Sequence, residues 1–153
     1  LELNSLSKSH NMAGWRVGMV VGSKNNIDSI LKVKSNMDSG MYYGIQKGAI
    51  EALCLNNSWH TSLNKIYKKR REIVYKICDK LKLTYDKNST GMFVWAKINS
   101  PATSSKKFVD NLLYNKEIFI TPGSIFGTNG EGYVRLSLCL SQDKLNEALN
   151  KLL

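Results

Sequence analysis

The chain has 153 residues, 42% hydrophobic and 22% charged, with a net charge of +10. That length allows a domain that buries about two-thirds of the surface its unfolded chain exposes. No apolar run reaches the roughly 20 residues of a membrane-spanning helix, so the composition is that of a soluble, cytoplasmic protein. Leu1 is followed by neither a secretory nor a transit-peptide pattern. Cys54, Cys78 and Cys139 are odd in number and lack short ligand spacings, which predicts buried free thiols in a reducing compartment. His10 and His60 stand far apart with no cysteine or carboxylate cluster beside them, which leaves neither a zinc site nor a Ser/His/Asp triad.

In chain order, Leu1 to Leu6 reads as the end of a strand, broken by a polar loop from Ser7 to Asn11 that carries Lys8. Arg16 to Val21 reads as the next strand. Asn25 or Asn26 caps a helix running to about Asn36, and the stretch from Asp38 to Gly44 has two glycines and no period, as a loop does. A helix over about Ile45 to Leu55 leads across Asn56 and Asn57 into a long basic helix. Short β-prone runs follow, Leu83 to Tyr85 and Met92 to Ile98, around a turn at Asn88 to Gly91. Pro101 ends the second run, and Ser104 or Ser105 caps a helix through Leu113. Ile118 to Thr121 and Tyr133 to Leu140 read as strands joined by a Gly-rich loop, and Gln142 to Leu153 as a closing amphipathic helix. The sum is a mixed α/β fold whose first strand pair belongs to something larger.

Charge is concentrated between Ser58 and Lys82, where eight lysines and arginines face only Glu72 and Asp79. Leu63, Ile66, Tyr67, Ile73, Val74, Ile77 and Leu81 recur there at helical spacing, which makes the positive charge a solvated face of an amphipathic helix. A phosphate-binding surface is the other reading of such a face, but no nucleic-acid motif accompanies it. The glycines at 127, 130 and 132 fit neither common nucleotide-loop spacing and read as a mobile loop.

The stretch with the most chemistry is Ser5-Leu6-Ser7-Lys8-Ser9-His10-Asn11-Met12-Ala13-Gly14-Trp15-Arg16-Val17-Gly18. Lysine supplies an amine that can attack an aldehyde once it has lost its proton, a loss that nearby positive charge favours. A guanidinium eight residues later offers paired hydrogen bonds to phosphate oxygens, and short hydroxyls such as Ser5 add more.

This stretch resembles the SxSK…GWRxG signature of class I and II aminotransferases, pyridoxal-phosphate enzymes of fold type I. Further segments resemble that family in the same order: Gly91-Met92-Phe93-Val94-Trp95, Thr121-Pro122-Gly123-Ser124-Ile125-Phe126-Gly127, and Gly130-Glu131-Gly132-Tyr133-Val134-Arg135-Leu136-Ser137. The resemblance implies Lys8 as the Schiff-base lysine, Ser5 and Arg16 as phosphate ligands, and Arg135 as the grip on the substrate's α-carboxylate. An arginine between Val134 and Leu136 could equally be a structural ion pair. Tyr42 and Tyr43 fall in a loop that in the family reaches toward an active site, often the partner subunit's, although core or lid packing is an equal reading.

The resemblance further implies the end of a large cofactor domain over 1–36, connecting helices over 37–82, and a small C-terminal α/β domain over 83–153. It implies a homodimer that binds neither nucleic acid nor membrane and moves an amino group between an amino acid and a 2-oxo acid. Family enzymes carry most of a cofactor domain before the lysine, where this chain has seven residues. The 153 residues alone are therefore expected to be an inactive fragment. Two alternatives stay open: a fold type I lyase, such as one cleaving a carbon-sulfur bond, and a non-catalytic dimerisation or interaction domain.

Overall fold

A computed structural model describes residues 1–100 and 103–152; Pro101 and Leu153, expected at the ends of a strand and a helix, lie outside the described residues. The chain divides into two compact units, Leu1–Trp59 and His60–Leu153.

The first unit is a strand pair with helices. β1 (Glu2–Ser5) pairs antiparallel with β2 (Gly18–Val21), Ser5 opposite Gly18. Between them, the expected polar loop begins with a single helical turn, α1 (Leu6–Ser9), and continues to a 3-10 turn at Ala13–Trp15. The turn forms because Ser5 sits in extended backbone and its hydroxyl accepts the Ser7 N–H at 3.1 Å, an N-cap that spacing did not reveal. α2 (Lys24–Lys34) starts after Ser23, slightly ahead of the predicted caps, and α3 (Tyr43–Leu53) takes in Tyr43 and Gly44. The core here is small: Leu6, Met12, Val17 and Ala49.

Helix α4 (Asn57–Lys80) spans the predicted basic stretch. In the second unit, β3 (Leu83–Tyr85), β4 (Phe93–Ile98), β5 (Thr121–Pro122) and β6 (Tyr133–Ser137) form a sheet of order β3-β4-β6-β5, antiparallel at every pairing. Alternation puts Val94, Ala96, Val134 and Leu136 on one face, each under 5% exposed. That face joins one core with Val74, Ile77 and Cys78 of α4, Val109 and Leu112 of α5 (Ser105–Lys116), and Leu145 of α6 (Gln142–Asn150). This is a two-layer arrangement of helices on an antiparallel sheet. Each fully buried Val or Leu contributes about 1.5–3 kcal/mol relative to an exposed one.

Three expectations change. The strand expected over Ile118 to Thr121 is only the two-residue β5; Ile118 and Ile120 are buried in the core without ladder pairing. The Gly-rich connection holds two 3-10 turns, Gly123–Phe126 and Thr128–Gly130, pressed together so that a Cβ on Gly123 would lie 2.1 Å from the Gly130 carbonyl oxygen. Only Cys78 among the three free thiols is buried; Cys54 and Cys139 are exposed. Burial, helped by the charge of Asp79, pushes the Cys78 thiol up to about 12.

The positive face of α4 is also less free than its sequence implies. Arg70 donates to the carbonyl of Leu138 at 3.1 Å and of Cys139 at 3.5 Å, and Arg71 donates to Ser89 at 3.0 Å and to Gly91. Both guanidiniums serve as struts to backbone just beyond the ends of β4 and β6. The lysines of the stretch remain exposed.

Candidate active site

Ser5, Lys8 and Arg16 all belong to the β1–α1–β2 segment of the first unit. Ser5 closes β1 and caps α1; Lys8 is the third residue of α1, at the i, i+3 spacing from Ser5 that sets two side chains on one side of a helical turn. The segment is closed by hydrogen bonds rather than by a large core. The Leu6 carbonyl accepts the N–H groups of His10 at 3.1 Å and Met12 at 3.3 Å, while the Leu6 N–H donates to Val17 at 3.4 Å. Beneath them Leu6 is 1% exposed, a single apolar anchor for the turn that carries Lys8.

Arg16 adopts left-handed backbone, φ 53 and ψ 44, and its Nη1 donates to the Ala13 carbonyl at 3.0 Å. That conformation is uncommon for a residue with a Cβ, and here the side chain ties the bend to the preceding 3-10 turn. Two residues on, Gly18 faces Ser5 so closely that a Cβ would stand 2.7 Å from the Asn4 carbonyl oxygen. Glycine at this position lets β2, which follows Arg16, lie against the strand carrying Ser5.

The donor set fits a phosphate-bearing aldehyde. The Ser5 and Ser7 hydroxyls stand 2.9 Å apart in a hydrogen bond. Ser5 and Arg16 are exposed, as is Lys8, and the N–H groups of Arg16 other than the one given to Ala13 have no acceptor among the described residues. Two hydroxyls and a guanidinium supply neutral and charged donors for phosphate oxygens, and the lysine supplies an amine for the aldehyde. Ser7 is the second serine of the SxSK motif, but the sequence reading gave it no role of its own.

Arg135 lies in the second unit, on β6, opposite Trp95 of β4 and Thr121 of β5. It points away from the core, on the face that carries Phe93, Trp95 and Tyr133. Its guanidinium carbon is 4.2 Å from the centre of the Phe93 ring and 4.5 Å from that of Phe126. None of the ion pairs among the described residues involves it. Among the described residues, rings and not a carboxylate stand against this guanidinium. Phe93 and Phe126 were legible only as parts of longer motifs, although alternation along β4 already assigns Phe93 and Trp95 to Arg135's side of the sheet.

Glu131 fixes the loop beside this face. Its carboxylate accepts the Ser105 N–H at 2.6 Å, the Ser105 hydroxyl at 3.1 Å and the Gly132 N–H at 3.0 Å. The hydrogen bond from the Ser105 backbone, followed by that from Gly132, holds its carboxyl below the usual range.

An α/β chain with a serine-capped lysine turn, a phosphate-type donor set and an unpaired arginine in a sheet has the parts of a pyridoxal-phosphate enzyme. The family model described as aminotransferase class I and II matches residues 1–152, and the chain belongs to that family of pyridoxal-phosphate-dependent enzymes. LL-diaminopimelate aminotransferase of Nitratidesulfovibrio vulgaris is 39% identical over 152 residues, 99% of this chain and 39% of that protein. The enzyme of the same description from Aquifex aeolicus is 36% identical over the same shares. Substrate-bound BacF of Bacillus subtilis superposes with a TM-score of 0.88 at 35% identity, over 98% of this chain and 38% of that one. An aromatic aminotransferase of Pyrococcus horikoshii gives 0.88 at 32% identity, over 98% and 40%. The chain therefore spans about two-fifths of the length of the relatives it matches. Among the described residues no helix is long and apolar enough to cross a membrane.

Proposed function

We propose that the protein containing this chain is an aminotransferase that moves an amino group between an amino acid and a 2-oxo acid. In this reading, Lys8 attaches the cofactor and Ser5 and Arg16 hold its phosphate, with the Ser7 hydroxyl beside them. Arg135 takes the substrate's α-carboxylate. Residues 1–36 belong to the cofactor domain, 37–82 to connecting helices and 83–153 to a small C-terminal domain. The observation that carries the reading is the placement of Ser5, Ser7, Lys8 and Arg16 on one short hydrogen-bonded segment between two paired strands.

Bound pyridoxal phosphate supplies an aldehyde for attachment and a conjugated ring that accepts the electron pair left when a bond at the substrate's Cα breaks. Lys8 would serve as the proton carrier at the substrate's Cα, as general base and then as general acid. A short helical turn anchored by Leu6 suits that role, because the backbone holds the lysine stem in place while its four methylene groups let the amine travel. Arg135 presents a planar fork to the carboxylate and so fixes which Cα bond is broken. Among the described residues no carboxylate pairs with it, which supports that fork as the carboxylate's seat.

The names of the relatives make LL-diaminopimelate the first amino acid to test. A cytoplasmic homodimer that binds neither nucleic acid nor membrane completes the reading. The free thiols support the compartment, the exposed Met37, Tyr42 and Tyr43 support self-association, and the binding of Arg70 and Arg71 to the chain's own carbonyls weakens a nucleic-acid surface.

The test uses the whole protein. Addition of pyridoxal phosphate should give a visible absorbance band and a borohydride-reducible adduct mapped to Lys8, both lost in Lys8→Ala, with a 2-oxo acid as the product of turnover. No adduct at Lys8 would refute the reading; an adduct with elimination products in place of a 2-oxo acid would replace the transferase with a lyase.

A further inference from the structure

The surroundings of Arg135 carry an inference that rests on its proposed hold on the α-carboxylate: we propose that Phe93 and Phe126 are positioning residues, a pair of rings that fixes the plane of the guanidinium so that only its N–H edge is open to ligand. The guanidinium carbon lies 4.2 Å and 4.5 Å from the two ring centres. Both distances fall within the roughly 6 Å over which a ring face attracts a cation. All five N–H bonds of an arginine lie in the guanidinium plane. Rings set against it constrain its rotation while leaving donors at its edge for the fork that two carboxylate oxygens match.

The two rings reach Arg135 from different directions. Phe93 is on β4, opposite Ser137, and so is the diagonal cross-strand neighbour of Arg135. Its place is set by the sheet. Phe126 ends the 3-10 turn after β5 and is half exposed. It is braced by Trp95, whose ring meets it edge-on at 5.7 Å and 68°, and Trp95 in turn stacks on Tyr133 at 5.5 Å and 15°. One side of the arginine thus rests on a strand and the other on a loop held through aromatic contacts. No carboxylate among the described residues does this work, and one at this distance would compete with the ligand for the same N–H groups. Rings hold the cation without consuming its hydrogen-bonding capacity.

The experiment measures the dissociation constant of 2-oxoglutarate, as a carboxylate probe, by calorimetry on the whole protein loaded with pyridoxal phosphate. The Lys8 borohydride adduct and the melting temperature are recorded for every variant. Phe126→Leu and Phe93→Leu should each weaken the probe about tenfold, the effect of losing one cation-ring contact at a partly desolvated site. Phe126→Met, which keeps apolar bulk but no ring, should match Phe126→Leu, and Phe126→Tyr should restore binding to within about twofold. The adduct and the melting temperature should not move. A loss of binding in Arg135→Lys beside unchanged binding in the phenylalanine variants overturns the ring pair and leaves the carboxylate reading intact. Unchanged binding in Arg135→Lys overturns both, and an adduct still present at Lys8 would then separate this failure from that of the cofactor site. Weakened binding in Phe126→Tyr equal to that in Phe126→Leu also overturns the ring mechanism.

Discussion

The two units hold their proposed functional side chains in different ways. In the second, Arg135 stands on a strand whose other face, Val134 and Leu136, is sealed under three helices. In the first, Lys8 and Arg16 stand on a segment secured by backbone hydrogen bonds, one serine cap and four buried residues. Its strands are exposed at every position, with Leu3 at 76% and Val21 at 49%. Precise placement can therefore come from a deep apolar core or from a tight weave of local hydrogen bonds. Within these 153 residues, the first arrangement brings its own apolar core along with placement, and the second brings placement alone.

That contrast can be broken or sharpened by four substitutions, measured by chemical denaturation of the 153-residue chain. Leu138→Ala should have the largest effect, about 2–5 kcal/mol, because it opens a cavity beneath a side chain that is 0% exposed. Ser104→Ala should cost about 1 kcal/mol by removing the acceptor that caps α5 through the Lys107 N–H at 3.2 Å. Glu131→Gln should show its effect in the pH profile. A carboxyl whose folded value lies below its ordinary 4.5 stabilises fully above that value, and the stabilisation is lost as pH falls through the folded value. Wild type should thus lose stability on acidification below about pH 4.5 more steeply than the variant. Leu3→Ala should change stability by less than about 0.5 kcal/mol. A loss of 2 kcal/mol or more there, on the order of a core truncation, would show that β1 is buried in solution and end the comparison.

Much of the second unit was legible because its signals are periodic. The β-prone runs Met92 to Ile98 and Tyr133 to Leu140 gave β4 and β6, and serine before an apolar helical stripe gave the start of α5. What escaped was aperiodic or set by tertiary contact. Ile118 and Ile120 look like strand residues because they are β-branched and apolar, but they fill the core without ladder partners. Arg70 and Arg71 look like part of a solvated face because spacing cannot show a loop carbonyl arriving from 20 or 68 residues away. In the first unit, the motif identified Ser5, Lys8 and Arg16 without revealing their scaffold, since a one-turn helix has no period to detect. The rings around Arg135 needed the sheet register, which brings Phe93 diagonal to it, and the loop path, which brings Phe126 back over it.

The contact between Gly123 and Gly130 bears on how this site could be remodelled. The two arms of the loop touch through main chain alone, with no room for a side chain on either partner. Position is thereby separated from composition. Ile125 and Thr128 are exposed on that closed frame, so exchanging them should change the chemistry of the loop's surface while the frame stays fixed. A library confined to these two positions would vary that surface without retesting the fold each time.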